Sequence, residues 1–98
     1  MKVSINSVNF KADNKLDQFI EKKVGKISDF YEGVIGSEIT LKVDKAGASD
    51  NKVAEIRVQI PGYDLFAKKQ SSTFEEATDH VVSALRKQLE KHKAKFKK

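Results

Sequence analysis

Between residues 74 and 96, Phe74, Thr78, Val81, Leu85, Leu89, His92 and Phe96 follow one another at intervals of four, three, four, four, three and four. Drawn at about 100° per residue, these seven positions fall within a band roughly 80° wide. That spacing predicts a long helix with one stripe able to dock on a flat surface. Ahead of it, SSTFEEA supplies a start, where Ser72 with Glu75 or Thr73 with Glu76 can form a capping box. The flat surface must come from the rest of the chain.

The N-terminal KVSINSV alternates Val3 and Ile5 with Lys2, Ser4 and Asn6, the period-two pattern of a strand. Asp13 then serves as an N-cap, and Leu16, Phe19, Ile20, Val24, Ile27, Phe30 and Tyr31 keep spacings of three and four, an amphipathic helix of about five turns. Gly25 weakens it slightly, and the neighbourhood of Gly33 to Gly36 ends it. SEITLKVDK places Ile39, Leu41 and Val43 on one face, and KVAEIRVQI does the same with Ala54, Ile56, Val58 and Ile60. The small, polar AGASDN between them suits a hairpin connection. PGYD makes the next turn, Pro61 fixing φ and Gly62 free to take φ above zero, and LFAKKQ returns as a fourth strand.

The order β-α-β-β-β-α predicts an α+β fold, a two-layer sandwich of a four-stranded sheet with both helices on one face, in a single domain over residues 1–98. At 1.5 Å per residue, a helix from 74 to 96 is about 35 Å long, whereas strands of seven or eight residues span about 25 Å. Its last turn or two should overhang the sheet.

Charge is concentrated on that overhang. Seven of the thirteen residues in RKQLEKHKAKFKK are Lys or Arg, against Glu90 alone, in a chain whose net charge is +5. The remainder is close to neutral, so this is a local anion-binding or nucleic-acid-binding surface and not a general solubility device. The bland alternative is a solvated chain end. Lys15, Lys22, Lys23 and Lys26 add a row on the first helix, and Lys68 and Lys69 lie on the fourth strand. Lysines along a helix meet phosphates as point charges without reading bases, which predicts strong salt dependence.

Catalytic and metal chemistry find little footing. The chain has no Cys, which removes thiol chemistry and, with the lack of an apolar leader, suggests a reducing cytoplasmic setting; no apolar run approaches the roughly 20 residues of a membrane span. His80 and Asp79 point about 100° apart on a helix, and His92 has no second ligand at i+3 or i+4. No enzyme, metal or cofactor is expected. Phe19, Phe30, Tyr31, Phe74 and Phe96 belong to helical core faces, which disfavours single-strand binding on exposed rings; Phe10, Tyr63 and Phe66 stay open.

The element order, FIEKKVGKISDFYEGV and above all LRKQLEKHKAK resemble the short ribosome hibernation-promoting factor family, which includes the ribosome-associated inhibitor also called protein Y. The resemblance spans essentially the whole chain. It implies a topology similar to double-stranded RNA-binding domains and a non-catalytic factor that sits between head and body of the small ribosomal subunit, over the tRNA and mRNA positions. Such a factor inhibits translation in stationary or stressed cells. Matching basic positions are Lys23, Lys26, Lys87, Lys91 and Lys95, and Gln88 matches too; departures are Ala84, Glu75 and Lys87, where relatives often carry Lys, an aromatic residue and Arg. The expected RNA-binding set is Lys22, Lys23, Lys26, Arg86, Lys87, Lys91, Lys93 and Lys95. The expected partner is the small subunit and its ribosomal RNA, met by a free monomer that does not pair ribosomes through its own dimer. Two other readings stand beside this one: a general module for duplex RNA, disfavoured by the acidic SSTFEEATD, and a regulator that meets an acidic protein.

Overall fold

In the computed structural model, residues 2–8, 10, 11, 13–44 and 50–96 are described, with side chains as far as His92. The elements are β1 (Lys2–Val8), α1 (Asn14–Phe30), β2 (Gly36–Val43), β3 (Lys52–Ile60), β4 (Tyr63–Ser71) and α2 (Phe74–Phe96). The strands form one sheet in the order β1-β2-β3-β4, with β1 parallel to β2 and the other neighbours antiparallel. The first three elements are thus a β-α-β crossover, which the helix between two parallel strands requires. Of the AGASDN connection, residues 46–49 lie outside the described residues; at its mouth Asp44 N–H donates to the Asn51 carbonyl at 2.8 Å.

Both helices cover the same sheet face, as a single core shows. Ile20, Val24 and Ile27 of α1 and Val81, Leu85 and Leu89 of α2 meet Ile39, Leu41, Ala54, Ile56 and Val58 of the sheet. The period-two pattern of β3 drives this: Ala54, Ile56, Val58 and Ile60 are buried, while Arg57 between them is exposed. Lys68 and Lys69 fall on opposite faces for the same reason. Lys68 shares the outer face with Glu55, at 3.9 Å, and Lys42 reaches the same carboxylate at 2.6 Å.

Local chemistry sets the helix ends. The Asp13 carboxylate accepts the Leu16 N–H at 2.8 Å, and the Thr73 hydroxyl accepts that of Glu76 at 3.1 Å, so Thr73 and not Ser72 is the cap of α2. The first helix stops one residue earlier than its apolar spacing suggests. Tyr31 is extended (φ −138°, ψ 117°), although its N–H still donates to the Ile27 carbonyl at 2.9 Å. Its ring leaves the helix stripe to pack against His92. At the β3–β4 turn Gly62 takes φ +73°, a left-handed conformation that a Cβ would penalise.

One core position is out of keeping with its surroundings. Thr78 is fully buried, and its hydroxyl has no hydrogen-bond partner. A buried hydroxyl without a partner costs about 1–3 kcal/mol relative to water. Thr78→Val keeps the branched shape and removes that cost, so thermal unfolding should show a midpoint raised by about 5 °C, equivalent to about 1 kcal/mol. A lowered midpoint would mean the hydroxyl does bond in the folded state.

Candidate nucleic-acid interface

Two contacts fix how α1 and α2 lie together. Lys23 Nζ is 3.1 Å from Asp79 Oδ1, and the Arg86 guanidinium sits 5.1 Å from the Phe30 ring centroid. From 23 to 30 and from 79 to 86 the chain advances equally, so the helices run parallel with their N-termini at the same end. Parallel helices add their dipoles: about half a positive charge collects at each N-terminus and half a negative charge at each C-terminus. Asp13, Asp17, Glu75 and Glu76 outnumber Lys11 and Lys15 at the first end, which is acidic on balance. Arg86, Lys87 and Lys91 lie toward the other. The fold carries the charge asymmetry of the sequence into a molecule with one end more acidic and the other more basic.

The expected RNA-binding residues occupy distinct places on this pair. Lys23 lies in the seam between the helices, held by Asp79 and 5.5 Å from the Phe19 ring centroid. Arg86 closes the seam from the other helix over Phe30. Lys22 and Lys26 are exposed on α1, and Lys87 and Lys91 on α2. At about 100° per residue, Lys26 faces the flank of α1 that slopes toward the seam and Lys22 is near its crest, while Lys87 is near the crest of α2 and Lys91 is on its far flank. Five cations therefore form an oblique band from Lys22 and Lys26, across the seam at Arg86, over the crest at Lys87 to Lys91. Glu90 is an exposed carboxylate within it. The side chains of Lys93 and Lys95 lie outside the described residues.

On the far flank of α2, Gln88 Nε2 donates to the Phe66 carbonyl at 3.0 Å. Phe66 belongs to β4, the strand at the sheet edge, where carbonyls lack a strand to bond. Gln88 thus locks α2 against that edge and orients the flank carrying Lys91. Its role is to position the helix, and its polar character within an otherwise basic run was the signal for it.

Sequence spacing missed a cluster of rings at the basic end. His92 meets Tyr31 edge-on, with ring centroids 5.8 Å apart and planes at 67°, and stacks with Tyr63 at 5.6 Å and 17°. Tyr63 remains 54% exposed. Among the described residues no group of three or more His, Asp or Glu could hold a metal ion, and no helix is long and apolar enough to cross a membrane.

Residues 3–97 match the protein family described as sigma 54 modulation protein / S30EA ribosomal protein. The chain is similar to the ribosome hibernation promoting factor of Klebsiella oxytoca, at 26% identity over 97 residues covering 99% of this chain and 98% of that one. It is similar to the factor of the same name from Escherichia coli K12, at 24% identity with the same coverage. Among solved structures, a ribosomal subunit interface protein from Coxiella burnetii superposes with a TM-score of 0.85 at 22% identity, covering 96% of this chain and 99% of that one. The N-terminal domain of Thermus thermophilus Protein Y gives 0.81 at 22% identity, covering 94% and 99%. At that identity the two structures speak for the fold.

Proposed function

The chain belongs to the sigma 54 modulation protein / S30EA ribosomal protein family, and on that premise we propose that it is a hibernation factor that binds the small ribosomal subunit in its decoding channel. It acts by occupancy, without catalysing a reaction, and silences translation in the cytoplasm of stationary or stressed cells. The relatives named as ribosome hibernation promoting factors support ribosome binding.

The observation that carries the reading is the oblique cation band on the parallel helix pair. Its members are mounted on rigid elements, and the acidic helix N-termini face the other way, so the molecule approaches polyanionic RNA in one orientation. The acidic start of α2 also argues against a general duplex-RNA module, which needs cations there. If Lys22, Lys26, Arg86, Lys87, Lys91 and Lys95 each neutralise a phosphate, log affinity should fall against log salt with a slope of about −5.

Co-sedimentation of the protein with purified small subunits across a salt series, with and without mRNA and initiator tRNA, tests this. Binding that weakens along that slope and is lost to the competitors is the expected result. Salt-sensitive binding indifferent to them would move the site away from the decoding channel.

A further inference from the structure

We infer that Tyr63 is a stacking platform for one unpaired RNA base, so that the interface reads an exposed base as well as backbone charge. This rests on the proposed ribosome binding and adds a named contact to it.

The placement begins with the turn. Pro61 restricts φ, Gly62 takes φ +73°, and the chain enters β4 at Tyr63, paired with Ile60. Residues paired across a ladder share a face, and Ile60 is buried under the helices, so Tyr63 also points to the helix side. It does so where the sheet ends, and meets α2 at His92. His92 stacks on the ring with an offset, and an exposure of 54% leaves more than half of Tyr63 open to solvent. Tyr31 in turn meets His92 edge-on. An isolated exposed aromatic is ordinary on a protein surface. This one is braced in a fixed orientation by two further rings, so little ordering is left to be lost when a ligand stacks on it.

Charge indicates which ligand. Tyr63 meets α2 at His92, in the C-terminal part of the helix that also carries Lys87 and Lys91 on its exposed surface, so the ring lies at the basic end of the helix pair. A flat π-face beside phosphate-binding cations is the combination that binds an unstacked base, and one such stack contributes about 1–3 kcal/mol. A base would continue the series formed by His92 and Tyr63.

The test compares Tyr63→Phe, Tyr63→Leu and Tyr63→Ala with the wild type in small-subunit binding across the salt series. Tyr63→Phe should bind like the wild type, while Tyr63→Leu and Tyr63→Ala should bind about tenfold or more weakly. The salt slope should be unchanged in all three, because no phosphate contact is removed. Affinity of Tyr63→Ala or Tyr63→Leu within twofold of the wild type overturns base stacking while leaving ribosome binding in place. A slope reduced by about one in Tyr63→Ala also overturns it, because the ring would then act by positioning Lys91. Failure of the wild type to bind overturns both readings.

Discussion

Replacing Lys87, Lys91 and Lys95 together by Glu is expected to abolish small-subunit binding while the protein stays folded. Lys87 and Lys91 are exposed on α2, and Lys95 continues the same helix. The change removes three positive charges and adds three negative ones toward the end of a helix that already carries about half a negative charge, which costs about 1 kcal/mol and a few degrees in thermal midpoint. Binding loses far more. Each neutralised phosphate contributes about 0.7–0.9 to the salt slope, and reversed charges repel the RNA they formerly met. The neutral Lys87, Lys91 and Lys95 to Gln triple variant separates these effects: its slope should fall by about two to three units, with affinity reduced by about a hundredfold at moderate salt. Circular dichroism of each variant checks the fold. A Glu triple variant that sediments with subunits like the wild type would remove these lysines from the interface.

The same two helices show how much of the fold was legible beforehand. The α2 stripe from Phe74 to Phe96, and the alternations of β1 and β3, end where the structure ends them, because burial of one face leaves a period in the residues themselves. The parallel pairing of β1 with β2 left no such mark. Strand alternation states which face is wet and is silent about the neighbour. The candidate site followed the same division. That Lys22, Lys26, Lys87 and Lys91 would be exposed follows from their helical phase, whereas the Lys23–Asp79 ion pair joins residues far apart in the chain and depends on how the helices meet. Lys68 looked like a contributor to the basic surface, but faces the other side of the sheet with Glu55. Tyr63 stayed open in the sequence because it follows a turn, where no period assigns a face until its pairing with Ile60 is known.

Leu85→Ala should cause the largest loss of stability of any change considered. Leu85 is fully inaccessible in the core that α1, α2 and the sheet share. Truncation removes the transfer free energy of the side chain and leaves a cavity that neighbours on three elements cannot all move to fill, at about 2–5 kcal/mol. A domain of 98 residues has a total stability of about 5–15 kcal/mol, so the thermal midpoint should fall by about 10–25 °C. Leu85→Met, which conserves volume, should cost less than about 1.5 kcal/mol. The lysines are untouched by either change, and the salt slope of subunit binding should therefore remain that of the wild type. Only the fraction of protein available to bind should decline, and binding of subunits should in turn raise the midpoint of the Ala variant by mass action. A midpoint within about 3 °C of the wild type would mean that α2 is held chiefly by its polar contacts, Gln88 at the β4 edge and Asp79 at the seam, and not by its apolar stripe.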